Sequence, residues 1–412
     1  MKVWLLIWDY WPGLQGGSER QARMVAQELF ARDVDCEIIT SWSSWSMRRL
    51  DYDGKVRILR LGTLAPLRAG WQRVVRRFLS LLCKPNSGSQ SFRKNKVSNS
   101  AFFWLSLPLN WISRLSFMIE LFVVVLFTGR KVDVIHLHEP SWLGGVAQIV
   151  SNYSSSAILC QEATTPALPV IGYDVPFRRI LDRQRRLPWY IAMTAFTQDE
   201  LVGKGIREDR IFQIPNGVHL PSKVSRSFPD QVLYVGNLTQ GSDWKAFDVL
   251  FKAWCIVAEK NHQARLTVVG GGDSSEWVDY LVENKCTNSV TFVGRVDDPG
   301  KYYCDASLFV LPSRVEGLSN ALIESQSWGI PAVVSDIPGN MAVITDGENG
   351  VVTPVGNAEK FAEAILTVLS DNQYREKMAR VARRKAEEKY DIRVVMGDVM
   401  KAYSKISKIN LD

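Results

Sequence analysis

Histidine is the scarcest catalytically useful residue in this 412-residue chain: there are four, and only His136 and His138 stand close together. Two histidines on alternate residues of one apolar run do not assemble a metal site, so none is expected. Six cysteines (36, 83, 160, 255, 286 and 304) are scattered, with no C-x-x-C pair. Neither a disulfide framework nor a zinc site follows from that spacing, and a reducing cytoplasmic compartment fits it best. The apolar stretch Leu115–Phe127 falls short of the roughly 20 residues a membrane-spanning helix requires. The opening run Val3–Trp8 is too short for a signal peptide and reads as a buried first strand. There is no internal repeat and no long low-complexity tract.

What is present is an ordinary soluble balance, 46% hydrophobic and 23% charged residues, with a modest net charge of +7. The length predicts two domains. Short apolar runs alternate with segments of helical period, the pattern of parallel sheets covered by helices on both faces. In the first half, strands are expected near Val3–Trp8, Cys36–Thr40, Val56–Leu61, Asp133–His138, Ala157–Cys160, Tyr190–Thr194 and Ile211–Ile214. In the second they fall near Val232–Val235, Arg265–Val269, Val290–Val293, Leu308–Leu311, Ala332–Ser335 and Gly350–Val352. Gly17–Ala31 reads as a helix with Ala22, Val25, Ala26, Leu29 and Phe30 on one face. The fold class is therefore α/β, two doubly wound Rossmann-like domains. Residues 1–219 form the first and 220–412 the second, joined across the Pro- and Gly-marked stretch Pro215–Asp230. Ligands of such domains sit at the carboxyl ends of the strands.

One segment, 65–127, interrupts the alternation. It carries Arg68, Arg73, Arg76, Arg77, Lys84, Arg93, Lys94 and Lys96, with Trp71, Val74, Val75, Phe78, Leu79 and Leu82 lining one face of its first part. A basic amphipathic helix is suited to an anionic membrane surface. A solvated helix followed by a buried one is the other reading. Nucleic acid is not expected, because the basic cluster is confined to this insertion and no recognition motif accompanies it.

The densest chemistry lies in Pro312-Ser313-Arg314-Val315-Glu316-Gly317-Leu318-Ser319-Asn320-Ala321-Leu322-Ile323-Glu324. An apolar strand feeds a Gly-bearing loop, Ser319 and Asn320 are both suited to cap the helix that follows, and its first turn presents backbone N–H groups to an anion. Glu324 lies too deep in the helix for an end cap and is placed to accept two ribose hydroxyls. Glu316, on the loop, is placed for a second polyol. The strand before and Trp328–Val334 after complete a pattern that resembles the E-x7-E signature of family-four glycosyltransferases, the retaining enzymes of GT-B fold.

The resemblance covers residues 1–60 and 130–390 and implies roles for further residues. Gly16 and Gly17, in the loop Tyr10–Glu19, match the family's glycine pair after the first strand, where close backbone approach and positive φ are available. That loop is neither a P-loop nor a G-x-G-x-x-G fingerprint. In Tyr234-Val235-Gly236-Asn237-Leu238, Asn237 stands where the family has Arg. Lys245 matches the family's diphosphate-binding Lys, and Arg295 or Arg314 is expected to assist. Glu162, in Gln161-Glu162-Ala163-Thr164, occupies a place usually held by His. His138 ends a strand resembling the family's D-V-I-H-x-H and lines either an acceptor cleft or the sheet. Pro215-Asn216-Gly217-Val218-His219 is similar to the family's interdomain turn. The tail after Asp391 is expected to cross back to the first domain.

The activity implied is transfer of a sugar from a nucleoside-diphosphate sugar to a hydroxyl of a lipid-linked or polymeric glycan, with retention. Glu316 and Glu162 are the catalytic candidates. Gly16, Gly17, Asn237, Lys245, Arg295, Gly317, Leu318, Ser319, Asn320 and Glu324 form the donor site, with no cofactor beyond the donor itself. The enzyme would act in the cytoplasm or on the inner face of the membrane. A nucleotide-sugar epimerase and a catalytically silent sugar-nucleotide-binding subunit remain as alternatives.

Overall fold

A computed structural model describes residues 1–10, 16–42, 44–62, 64, 112–125, 132–138, 150, 156–161, 188–238 and 243–409. In chain order the first half holds β1 (Lys2–Leu6), α1 (Gly17–Ala31), β2 (Asp35–Ser41), β3 (Leu50–Asp53) and β4 (Val56–Leu61), then a helix α2 over 112–125, β5 (Val134–His138), β6 (Ala157–Gln161) and β7 (Trp189–Ala192). After α3 (Ala195–Gly203) and β8 (Ile211–Gln213) come β9 (Gln231–Val235), α4 (Phe247–Lys260), β10 (Arg265–Val269), α5 (Ser275–Glu283), β11 (Val290–Gly294) and α6 (Gly300–Asp305). The chain continues through β12 (Leu308–Leu311), α7 (Asn320–Ser327), β13 (Ala332–Ser335), α8 (Pro338–Met341) and β14 (Gly350–Thr353). It closes with α9 (Ala358–Ser370), α10 (Asn372–Lys389) and α11 (Ile392–Ile409).

Two sheets result. The first runs β3-β4-β2-β1-β5-β6-β7-β8 and the second β11-β10-β9-β12-β13-β14. In the second, every registered pair is parallel. Counted without β3, the first sheet runs 3-2-1-4-5-6-7 and the second 3-2-1-4-5-6, the doubly wound order that reverses direction beside its first strand. Compact contacts divide the chain into two units. One holds Met1–Gln161 and the residues from Ala402 onward, and the other Ile191–Lys401.

The central strands of the second sheet read as nearly continuous apolar runs because helices cover both of their faces. β12 and β13 are buried at every residue. Against the second sheet, α4 buries Phe247, Val249, Leu250, Phe251, Ala253, Trp254 and Val257. Each of the large side chains among them contributes roughly 1.5–3 kcal/mol on leaving water.

Four observations correct the sequence reading. β3 was not expected: it is a four-residue antiparallel edge strand, Leu50-Asp51-Tyr52-Asp53, with too few apolar residues to show a period. Phe30 points outward, 41% exposed, while Gln21 takes its place in the buried stripe of α1. Neither Gly16 nor Gly17 adopts a positive φ; Gly16 is the extended N-cap of α1. Cys255 and Cys286 form a disulfide, although 31 residues separate them. Packing of α5 on α4 brings their Cα atoms to 5.6 Å, a juxtaposition that spacing along the chain does not encode. The scatter of cysteines therefore no longer argues for a reducing compartment.

The basic stretch 65–111 lies outside the described residues. Helix α2, beyond it, is apolar on two sides: Phe117, Leu121 and Val125 are buried, while Ile112, Leu115, Ile119 and Val123 are exposed. Among the described residues, no helix is long and apolar enough to cross a membrane.

At the centre of the first sheet His136 and His138 lie with ring centroids 4.5 Å apart. His136 Nδ1 hydrogen-bonds the Tyr403 hydroxyl of α11 at 2.7 Å. Both imidazoles are buried, and among the described residues His138 Nε2 has no hydrogen-bond partner. Burial pushes the His138 pKa down to about 4; burial and then the His138 neighbour push His136 well below the ordinary value of 6.5. A folded-state pKa below the unfolded one means that, between pH 6.5 and 4, the unfolded chain takes up a proton the folded chain refuses. Stability therefore falls as pH falls through that window, by about 3 kcal/mol for His138. Urea denaturation at pH 7.5 and 4.5 checks this: His138→Gln is expected to lose less stability over the interval than the parent does.

Candidate functional site

The carboxyl ends of five neighbouring strands of the second sheet carry predicted residues together with glycines that the sequence reading did not single out. Gly236 and Asn237 follow β9, Gly270–Gly272 follow β10, Arg295 follows β11, Glu316 follows β12 and Gly339 follows β13. The reversal of strand order lies between β9 and β12, so Asn237 and Glu316 stand on its two sides.

Glu316 is the electrostatic centre of this edge. Its Oε1 accepts the Lys245 ammonium at 2.6 Å and the Ser313 hydroxyl at 2.9 Å. The Lys245 and Glu316 side chains are only 16% and 11% exposed, so the pair is far less screened than a surface ion pair. Lys245 Nζ also lies 4.2 Å from the Trp244 ring centroid, within cation–π reach. Beneath them the Tyr234 hydroxyl is buried and, among the described residues, has no hydrogen-bond partner. Burial, and secondarily the Glu316 charge, push its pKa up. The site thus holds one cation and one anion against each other, each still slightly exposed.

Two glycines explain how the loop is held. A Cβ on Gly339 would stand 2.3 Å from the Gly317 carbonyl oxygen and 2.4 Å from that of Glu316, so α8 packs directly on the backbone of the Glu316 loop. Gly270, at φ +154°, would place a Cβ 2.0 Å from the Gly236 carbonyl, which brings the β9 and β10 loops into backbone contact. Side chains complete the brace. The Ser335 hydroxyl donates to the Ser313 carbonyl, and Asn340 Nδ2 donates to the Ser335 carbonyl at 3.0 Å and to its hydroxyl at 3.1 Å.

Helix α7 opens as expected, with a division of labour between the two cap candidates. Ser319 is the N-cap and accepts from Leu322 N–H. Asn320 is the first helical residue, and its Oδ1 accepts from Asn216 Nδ2 at 2.8 Å. Leu318 is buried under the loop. Glu324, half-buried on α7, accepts from the Tyr303 hydroxyl at 3.0 Å.

Of the two arginines expected to assist Lys245, Arg314 is engaged elsewhere. Its guanidinium grips Asp248 with two bonds of 2.9 and 2.7 Å and donates to the Asp243 carbonyl at 2.7 Å, fixing the turn that carries Lys245. Arg314 holds the Asp248 carboxyl below its usual range. Arg295 is exposed, and its Cβ would lie 3.4 Å from a Cβ on Gly271. Asn237 flanks the same glycine, its Oδ1 accepting from Gly271 N–H at 3.1 Å, which turns its amide nitrogen away from that backbone. In the first unit, Gly16 N–H donates to the Glu19 carboxylate at 2.8 Å. His138 is 2% exposed. Glu162 lies outside the described residues.

Sequence reasoning missed Tyr303, Asp248, Gly339 and the Gly270–Gly272 run. The glycines had a legible signal, since both follow predicted strands at their carboxyl ends. Tyr303 and Asp248 had none, as their partners are 21 and 66 residues away.

Residues 229–371 match the family described as Glycosyl transferases group 1. This stretch is a glycosyl transferases group 1 domain. The chain is 24% identical over 204 residues to the capsular polysaccharide biosynthesis glycosyltransferase CapM of Staphylococcus aureus, covering 48% of this chain and 52% of that protein. It is 28% identical over 305 residues to the phosphatidyl-myo-inositol mannosyltransferase of Mycobacterium leprae, covering 67% and 74%. The CapM match thus spans about half of that relative. Among solved structures, sucrose-phosphate synthase of Thermosynechococcus elongatus superposes with a TM-score of 0.70 at 17% identity, covering 98% of both chains. HepE of Anabaena in complex with UDP superposes with a TM-score of 0.67 at 18% identity, covering 98% of this chain and all of that one. These likenesses show the fold, two doubly wound halves of GT-B type.

The packing of Gly339 on the loop of the group 1 domain gives a direct test. Gly339→Ala must displace the Glu316 and Gly317 carbonyls and is expected to cost about 1–3 kcal/mol of stability. A thermal melt should show a lower Tm, and the disorder should reach the Lys245–Glu316 pair.

Proposed function

We propose that this chain is a retaining glycosyltransferase, moving a sugar from a nucleoside-diphosphate sugar to a hydroxyl of a lipid-linked or polymeric glycan. The observation that carries the reading is the partly buried Lys245–Glu316 pair beside the capped start of α7, at the point where the strand order of a group 1 domain reverses. The names of similar proteins agree in kind: CapM is described in capsular polysaccharide biosynthesis, and HepE was solved with UDP.

In this reading Lys245 and the N-terminal turn of α7 take the diphosphate, Glu324 the ribose and Glu316 the donor sugar. Arg295, beside Asn237 and Gly271, supplies the second cation that Asn237 does not. The bond from the anomeric carbon to the diphosphate oxygen breaks, leaving an oxocarbenium-like sugar. The acceptor hydroxyl bonds to that carbon on the same face, and its proton passes to the departing phosphate oxygen. The leaving charge is then met by Lys245, Arg295 and the α7 dipole, groups already in place before reaction. Glu162 remains the candidate for contact near the anomeric centre.

Donor turnover tests this with purified protein, a panel of nucleotide sugars and glycan acceptors. Glu316→Ala and Glu324→Ala should each lower turnover by a factor of about 100 or more with the fold retained, as expected where charged contacts to the reacting ligand are lost. Lys245→Ala should chiefly weaken nucleoside diphosphate binding. Rates unchanged in both Glu variants reject the assignment.

We further propose that the enzyme works at the cytoplasmic face of an anionic membrane, through the basic 65–111 stretch and the exposed Ile112, Leu115, Ile119 and Val123 of α2. Flotation with vesicles should show binding to anionic lipid that declines with salt. Equal flotation with neutral and anionic lipid argues against it.

A further inference from the structure

We infer that Tyr303 is a positioning residue, whose hydroxyl sets the orientation of the Glu324 carboxylate and thereby its grip on a ribose. The inference rests on the nucleotide-sugar reading and adds a residue that the reading does not contain.

Tyr303 lies on α6, 1% exposed, with its ring packed beside Phe309 at a centroid distance of 6.3 Å. Those contacts require only a phenyl ring. The hydroxyl does something further: its single hydrogen is shared between Glu324 Oε2 at 3.0 Å and the Ala321 carbonyl at 3.2 Å. Both acceptors belong to α7, one turn apart, so the hydroxyl bridges the opening of the helix and the carboxylate that projects from it. A glutamate on a helix has three side-chain torsions, and a half-exposed one samples several rotamers. A buried donor bound to one oxygen removes most of that freedom before the ligand arrives. An ionised carboxylate has about four acceptor positions, so one bond from Tyr303 leaves capacity for a vicinal diol. The Tyr303 donor is a neutral hydroxyl, so it does not itself neutralise the carboxylate's charge. A Lys or Arg at the same place would compete for that charge, as Lys245 does at Glu316.

The test is calorimetric titration of the full chain with UDP and with GDP, each as the ribose form and as the 2′,3′-dideoxy form. Tyr303→Phe, Glu324→Ala and the double variant are compared with the parent. The Phe variant keeps the ring, and a circular dichroism melt on the same samples reports its fold. Tyr303→Phe is expected to weaken binding of the ribose form of whichever diphosphate the parent takes by roughly fivefold to tenfold, the scale of one ordinary hydrogen bond. The dideoxy form should be bound as tightly as by the parent, and the double variant should be no weaker than Glu324→Ala alone.

An equal loss for ribose and dideoxy forms would mean that Tyr303 supports the fold only, and the inference is then overturned. So is it if Tyr303→Phe binds both forms like the parent while Glu324→Ala loses the ribose form; in that case the nucleotide-sugar reading survives. If Glu324→Ala binds the ribose form unchanged, or the parent binds neither diphosphate, the reading of the site and this inference fall together.

Discussion

A negative charge held at the carboxyl edge of a parallel sheet is the constraint around which the second half of this protein is organised. Glu316 reaches that edge on a loop rather than on a regular element, and loops do not hold a side chain still by themselves. Lys245 and Ser313 fix its carboxylate, Ser335 and Asn340 fix Ser313, and Gly339 lets α8 press on the loop backbone. Lys245 is in turn placed by a turn that Arg314 clamps through Asp248. The partners in this chain of contacts come from three neighbouring strand ends, those of β9, β12 and β13. The site is thus a property of the sheet's connectivity before it is a property of any single motif.

Much of this was legible. The strand periods located β4, β10, β12 and β13 to the residue, since helices on both faces make such strands continuously apolar. α1 was located equally well. Glu316, Glu324, Ser319 and Lys245 could be singled out because they lie in short segments whose chemistry is local, and the structure makes Ser319 the N-cap and joins Lys245 to Glu316. Contacts over long separations were not readable: Tyr303 with Glu324, Arg314 with Asp248, Cys255 with Cys286. Phe30 shows the limit of pattern reading even within a helix. It sits at the margin of the apolar stripe of α1, and packing rather than period decided that Gln21 turns inward in its stead.

The two halves share a strand order but differ in what occupies their centres. The first places a pair of neutral imidazoles among its strands, one of them tied to α11 through Tyr403. The second keeps its central strands apolar and moves charge to the edge. A buried imidazole that stays unprotonated above pH 4 is compatible with a sheet core; an ammonium–carboxylate pair is not, unless ligand or solvent can reach it. The same topology therefore accommodates polar groups of quite different cost, depending on how far along the strand they sit.

Tyr234 marks what this arrangement gives up. A phenol oxygen shut away beneath Gly236 with nothing to bond represents a desolvation penalty on the order of 1–3 kcal/mol, a sizeable part of the few that keep any domain folded. A phenylalanine there would relieve it. The chain instead tolerates a weak spot directly under its most charged residues, so thermal robustness was not the quantity being maximised at this end of the sheet.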